Sequence, residues 1–476
     1  MKCQHPHASR TRRLLMPLWL LACLSACAAV GPDYTPPAAP VPAAWNAPLQ
    51  NCLQEGAADP DLAAWWQVFQ DPVLSDLVKK AADANRDAAQ ARARVQEARA
   101  RRGLQAADFY PAADGSAAAG RSRSGGRESR LYSVGFDAGW EIDIFGGVRR
   151  GIEAAEGELA AAEAGLADVM VTLAAEIGRT YMEARTLQHR LQVARANRQV
   201  QEETYALARA RAQAGLGDAL AVQQAFANLE ATRGQIPLLE DSLAASFNRL
   251  AVLTGETPGA LDDLLAEVRP LPVVPPAVTV AIPAETLRRR PDVRQAERRL
   301  AAQTARIGIA EADLYPRLRL AGSFGLNAAN TNDLADWAGR SWNLGPSLSW
   351  RIFDAGAVRQ NIRIQTAVQA QSLAAYEATV LGALEEVENA LSAYVQEQVR
   401  CVHLAEAAAA AAEAELLARR RYEAGLADFS RVLDAQRTLL GYQDQLALGR
   451  GAVVTHLIAL YKALGGGWAL VPGAVG

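Results

Sequence analysis

Two stretches of this chain alternate apolar and polar residues with a period of two. Over residues 131–143, Tyr132, Val134, Phe136, Ala138, Trp140 and Ile142 share one face, and Ser133, Gly135, Asp137, Gly139, Glu141 and Asp143 the other. Over residues 342–352, Trp342, Leu344, Pro346, Leu348, Trp350 and Ile352 oppose Asn343, Gly345, Ser347, Ser349 and Arg351. Each run follows a candidate partner strand. In the second, Leu318, Leu320, Phe324 and Leu326 alternate with arginine and small residues, while residues 112–120 alternate only weakly. Such alternation over about ten residues, with aromatics near the ends, is the pattern of a transmembrane β-barrel strand. The stretch 120–130 between the first two strands predicts one exposed loop carrying Arg121, Arg123, Arg127 and Arg130.

Elsewhere the spacing shifts to threes, fours and sevens. Leu159, Leu166, Val169, Leu173 and Ile177 form a seam of this kind, which is how a packed helix is patterned. No proline interrupts residues 147–214 or 356–424. Each stretch therefore predicts a helix approaching ~100 Å at 1.5 Å per residue. Helices this long need neighbours to bury their apolar stripe, and residues 72–108, 218–254, 291–313 and 429–464 supply them. Their many alanines permit close approach.

The chain is also written twice. Ala214-Gly215-Leu216-Gly217-Asp218 returns as Ala424-Gly425-Leu426-Ala427-Asp428, at an offset of 210 that Trp140/Trp350 and Gly255/Gly465 share. Asp108-Phe-Tyr-Pro111 returns as Asp313-Leu-Tyr-Pro316 at an offset of 205, so an insertion of five residues lies between that motif and the tryptophan. A repeat of this length is a doubled fold unit. The expected order is a signal segment (1–26), an extended arm (27–71), repeat one (72–255, strands near 111–143), a proline-rich linker (256–285), repeat two (286–468, strands near 316–353) and a short tail (469–476).

Four strands cannot close a barrel, and an open edge in lipid leaves unpaired backbone groups that cost several kcal/mol each. Strands from several copies must complete one cylinder, and three copies would give a twelve-stranded barrel, a reasonable size. The expected fold class is an α+β membrane protein, a barrel continuous with long helices.

The N-terminus adds an address. Lys2, Arg10, Arg12 and Arg13 precede an apolar run over residues 14–24, followed by Leu24-Ser-Ala-Cys27, an export signal. The Leu-Ser-Ala-Cys element resembles the bacterial lipoprotein signal, which implies diacylglycerol and an N-acyl chain such as palmitate on Cys27. Ala28 at the next position suggests passage to the outer membrane. Acyl chains contribute about 0.8 kcal/mol per buried methylene, so several hold a protein firmly in outer-membrane lipid. Cys3 and Cys23 fall within the signal; for Cys52 and Cys401 spacing argues for no pairing, and no metal-ligand spacing occurs. A net charge of −3 offers no basic field for nucleic acid. Beyond the signal, no apolar run reaches the ~18 residues of a spanning helix.

Several motifs together resemble the TolC-like outer-membrane efflux factors, in particular the lipoprotein branch that serves resistance-nodulation-division pumps. These are Cys27-Ala-Ala-Val-Gly-Pro-Asp-Tyr-Thr-Pro-Pro37, Trp65-Trp66 before Phe69-Gln-Asp-Pro72, Arg289-Arg-Pro-Asp-Val-Arg-Gln-Ala-Glu297, Tyr315-Pro316, Val432-Leu-Asp-Ala-Gln436 and Tyr461-Lys-Ala-Leu-Gly-Gly-Gly-Trp468. The resemblance implies a homotrimer with a twelve-stranded barrel and a twelve-helix periplasmic tunnel. It also implies a periplasmic adaptor and an inner-membrane efflux transporter as partners, and passive export of drugs or other toxic solutes.

It further implies a gate at the helical tips. Asp434 matches the position of a pore-constricting acidic ring, and Ser430 and Arg431 stand where some members carry a leucine or a second aspartate. Tyr422 matches a tyrosine that ties the closed state, though its usual acidic partner position is Ala221 here and a related arginine position is Ala427. Gly215, Leu216, Gly425 and Leu426 fill the tip turns, where the family docks its adaptor; independently, glycine permits the left-handed backbone that a helix reversal needs. No nucleophile with a base, phosphate loop or metal constellation stands out, so no cofactor and no enzyme activity are expected. Two other readings stay open: an exit channel for protein secretion, and a lipid-anchored structural rod. Copper or silver export is disfavoured by only four methionines, none clustered.

Overall fold

The four alternating stretches form one antiparallel sheet. A computed structural model describes residues 29–38, 41–49, 53–56, 60–272, 274, 275, 277–467 and 470. In chain order its elements are β1 (Leu53–Glu55), a 3-10 segment (Pro60–Phe69), α1 (Pro72–Ala84), α2 (Arg86–Ala107), β2 (Ala112–Ser124), β3 (Arg127–Ile142), α3 (Gly147–Gln213) and α4 (Ala219–Leu253). There follow α5 (Asp262–Leu265), β4 (Val278–Val280), α6 (Pro283–Arg289), α7 (Pro291–Ala312), β5 (Arg317–Ala328), β6 (Arg340–Ser349), α8 (Ala357–Glu423) and α9 (Phe429–Ala463). Three pairs of helices match in length across the duplication: α3 and α8 each have 67 residues, α4 and α9 each 35, α2 and α7 each 22, whereas α1 has 13 residues and α6 has 7. The strands differ, and the five extra residues of repeat two are taken up between β5 and β6, where two short 3-10 turns lie.

The chain divides into two compact units. The first comprises Met1–Ala38, Ala93–Glu163 and Gln295–Ala378 and contains the sheet β2-β3-β5-β6. Its register places Phe136 opposite Phe324 and Phe324 opposite Trp342, so one aromatic row crosses three strands. The opposite face carries Asp137, Ser323 and Asn343 at neighbouring positions. β2 and β6 are the edges of this sheet. The two repeats anchor their strands alike: Trp140 donates to the Phe109 carbonyl and Trp350 to the Leu314 carbonyl, each at 3.0 Å. Arg150, almost fully buried, gathers the arm by donating to the carbonyls of Val30 and Gly31 and pairing with Asp33 and Glu153 at 2.7 Å.

The expected loop over 120–130 is not there. β2 and β3 stay paired up to Ser124 and Arg127, and only Gly125-Gly126 turn the chain. Both glycines have positive φ, +58° and +80°, the backbone of the two-residue turn whose twist matches paired strands. The arginines sit on strands rather than on a loop.

The second unit comprises Ala39–Arg92, Ala164–Arg294 and Thr379–Gly476. Its core centres on Trp65, fully buried, which stacks on Tyr461 at 5.9 Å and meets Trp66 and Phe69 edge-on. The arm expected to be extended therefore delivers a core residue, and its β1 pairs in parallel with β4 of the linker. Large aromatics at 65, 66 and 69 gain too much from burial to remain on an exposed tether. Arg185, buried on α3, holds the linker through the Glu267 carbonyl at 2.6 Å and also donates to the Tyr181 hydroxyl, which donates in turn to Asp71. Arg290 pairs with Asp292 and Glu386 and caps the Ala463 carbonyl. Burial pushes the Glu386 carboxyl up, but its bonds to Arg290 and Lys462 outweigh this and hold it below the usual range. That contribution is present above the unfolded carboxylate range and is lost as acid protonates the folded group.

The helix expected over 72–108 is two helices, broken at Asn85 (φ −61°, ψ 136°). Buried Asn85 closes α1 with its own N–H, while its Oδ1 accepts from the amides of Asp87 and Ala88 to start α2 and its Nδ2 donates to the Leu253 carbonyl. Asn85→Ala should lose about 1–2 kcal/mol, the worth of an N-cap, and lower the melting temperature. Asn85→Asp keeps the acceptor but not the donor and should fall between, as a thermal scan followed by helical circular dichroism would register.

Candidate functional site at the helical tips

The two reversals that join α3 to α4 and α8 to α9 are built alike. Gly215 (φ +72°) donates to the Ala212 carbonyl and Leu216 to that of Arg211. Gly425 (φ +73°) donates to the Tyr422 carbonyl and Leu426 to that of Arg421. This pair of bonds satisfies carbonyls that the helix end leaves free, and it needs a left-handed residue where glycine stands. The leucine of such a turn normally folds back on an apolar residue of the last turn, but here that position holds Arg211 or Arg421. Leu216 and Leu426 instead project outward, 73% and 79% exposed.

Tyr422 is buried, and its ring packs on Phe429 at 5.0 Å. The Arg211 guanidinium lies 4.8 Å from the ring centroid and donates to the carbonyls of Tyr422 and Glu423, the open end of α8. A cation there also complements the helix dipole. The structure thus gives Tyr422 a partner in its own chain that the family pattern did not indicate. Ser430, Arg431 and Asp434 are all exposed on the first turns of α9. Neither Arg431 nor Asp434 has an ion pair among the described residues. Cys27 lies outside the described residues.

Sequence reasoning missed a polar seam on α3. Arg190, Asn197, Thr204 and Arg211 recur every seven residues, and each is bonded. Arg190 grips both carboxylate oxygens of Asp444 at 2.7 and 3.1 Å, Asn197 donates to Gln443 and Thr204 accepts from Gln436, each at 2.8 Å. Gln436 also reaches Glu415 of α8. Beside them, Asn197, Gln201, Glu415, Gln436 and Gln443 line a cavity of about 130 Å³. The period of seven is visible in the residues themselves, but it falls on polar side chains rather than on the apolar positions that mark a helical seam.

In the strand unit, the polar face of the sheet carries Asp114 directly opposite Asp137, with Glu141 opposite Arg319. A charged cavity of about 560 Å³, lined in part by Asp108, Glu141, Asp143, Arg317 and Arg319, adjoins the strand ends. A sheet apolar on one face and charged on the other suits a wall between lipid and water.

Comparison with known proteins agrees with this geometry. The family model for outer membrane efflux proteins matches residues 77–256 and again 282–466. The chain belongs to the outer membrane efflux protein family. It is 33% identical to the outer membrane protein OprJ of Pseudomonas aeruginosa over 475 residues, covering 96% of this chain and 95% of OprJ. It is 30% identical to the cation efflux system protein CusC of Escherichia coli, covering 95% and 98%. Among solved structures, the outer-membrane channel OprN is similar with a TM-score of 0.86 and 38% identity, covering 92% of this chain and 99% of OprN. The chain is accordingly a channel of the outer membrane rather than an enzyme, its four strands one third of a trimeric TolC-like barrel and its helices periplasmic.

Because its ring makes the contacts at the tip, Tyr422→Phe should leave local stability unchanged. Tyr422→Ala should cost about 3 kcal/mol, as removal of a buried aromatic does. Hydrogen exchange at residues 424–428 should accelerate only in the alanine variant.

Proposed function

We propose that this protein is the passive outer-membrane duct of a tripartite efflux pump, taking drugs or other toxic small molecules from an inner-membrane transporter through a periplasmic adaptor. The observation that carries this is the two-faced sheet with unpaired edges on long helices whose tips present unused leucines. The Leu216 and Leu426 backbones close their turns, but their side chains stand exposed, and two exposed leucines on these reversals are what an adaptor's helical hairpins can grip. A structural rod needs no sheet with a charged inner face.

Asp434, with Ser430 and Arg431 on the same exposed turns, is the proposed gate. Three carboxylates meeting on a symmetry axis favour cations and resist closer approach, and Arg431 beside them weakens that field. Soft metal ions are poor candidates for cargo, because Met170 and Met182, the methionines among the described residues, are buried and offer no thioether path. Cys27 is proposed to carry diacylglycerol and an N-acyl chain.

Purified protein in a planar bilayer should conduct rarely or weakly, and Asp434→Ala should open larger or more frequent conductances. A silent bilayer from folded, inserted protein would refute the duct, and an unchanged Asp434→Ala channel would remove Asp434 from the gate. In cells fed radiolabelled palmitate, the wild-type chain should take up label and Cys27→Ser should not. Label on the serine variant would discard the anchor.

A further inference from the structure

The outer rim of the barrel carries a set of arginines on its lipid-facing side. Strand register shows this. Tyr132, Val134, Phe136, Ala138, Trp140 and Ile142 occupy one face of β3, and Leu318, Leu320, Phe324 and Leu326 lie opposite them on β5. About ten residue steps from Ile142 to Tyr132, at ~3.4 Å each and a tilt near ~40°, rise about 25 Å, the height of the apolar band of an outer-membrane barrel. The pairing of β2 with β3 does not stop there. It continues without a break through Ala119–Tyr132 to Arg121–Arg130 and Arg123–Glu128. Since side chains alternate strictly, Arg130 and Glu128 fall on the same face as Tyr132, and Arg121 and Arg123 share it. Arg130 stands about 5 Å above the last apolar row by the same rise and tilt. Arg340 joins the face from β6, where it pairs with Leu326, itself opposite Val134. Its guanidinium lies 5.4 Å from the Trp337 ring centroid and donates to the Trp337 carbonyl, beside the aromatic row of Phe324 and Trp342.

Two features set this apart from a merely solvated strand end. Arg121 and Arg130 are direct cross-strand neighbours, and like charges so placed destabilise a sheet unless something negative lies against them. Glu128 answers in part, pairing with Arg121 and lying 3.7 Å from Arg130. One carboxylate is set against Arg121, Arg123 and Arg130, and all three arginines remain exposed. Closing the cylinder joins β6 of one copy to β2 of the next, so the strand that carries Arg340 abuts the strand that carries Arg121 and Arg123. We propose that Arg121, Arg123, Arg130 and Arg340 form a rim site for the phosphate groups of outer-leaflet lipid. A guanidinium meets phosphate through two parallel hydrogen bonds, and this face looks into lipid rather than into the lumen. Arg127 falls on the other face and is not part of the site. The site rests on the outer-membrane placement, not on the efflux reading.

The test uses full-length trimer in phosphatidylcholine nanodiscs doped with a bis-phosphorylated acylated disaccharide or with its dephosphorylated form, bound lipid being counted by native mass spectrometry. Wild type should retain the phosphorylated glycolipid and not the dephosphorylated one. Arg121→Gln with Arg130→Gln should weaken retention about tenfold or more, the scale of losing charged hydrogen bonds. Arg340→Gln should weaken it less, Arg127→Gln not at all, and Glu128→Gln should strengthen it. Retention of both glycolipids alike, equal retention by the double variant, or displacement by millimolar inorganic phosphate would each overturn the site. Conductance of the same preparation separates a failed rim site from a failed duct.

Discussion

A four-stranded sheet cannot be left open in lipid, and most of this molecule follows from that constraint. β2 and β6 each present a row of backbone donors and acceptors that hydrocarbon cannot satisfy. The remedy is to close on other copies, and closure makes a lumen. It also explains why the edge strand β2 looks so poor alone: Ala117, Ala118 and Ala119 give it little side chain to pack, yet its value lies in the backbone it offers. Small residues there suit a strand whose partner arrives from another subunit.

The same logic separates what could be read from the residues and what could not. The strands β3 and β6, the long helices and the reversals at Gly215 and Gly425 were legible, because period two, period three to four and a left-handed glycine each have a local physical cause. The break at Asn85 was hidden by good helix formers on both sides, and only the buried amide, bonded to Asp87, Ala88 and Leu253, reveals it. The hairpin at Gly125-Gly126 was obscured by arginines that read as a solvated loop, although the paired glycines were the decisive sign. For Tyr422 the residue was found but its partner was not, since Arg211 lies 211 positions away and no local pattern links them. Whether Asp434 meets its counterparts depends on neighbouring subunits, which a single chain's periodicity cannot encode.

The seam of Arg190, Asn197, Thr204 and Arg211 bears on how alanine-rich helices keep their register. Small apolar side chains slide past one another with little penalty, so an interface of alanines alone specifies alignment weakly. A polar group every seventh residue on α3, each with its own partner on α8 or α9, turns a displacement by one turn into several unmet hydrogen bonds at once. Burial supplies adhesion along the helices, and this seam supplies position.

The matched helix lengths have a consequence of their own. α3 and α8 leave the strands of their respective repeats and end in reversals that share one apolar cluster, with Ala208 and Ala225 from the first and Tyr422 and Phe429 from the second. Seven residues added to α3 alone would carry its reversal about 10 Å beyond its twin and split that cluster. The length of the helical extension is therefore not a freely adjustable dimension. It can be lengthened or shortened only by matched insertions or deletions in α3 and α8 together with the returning helices α4 and α9.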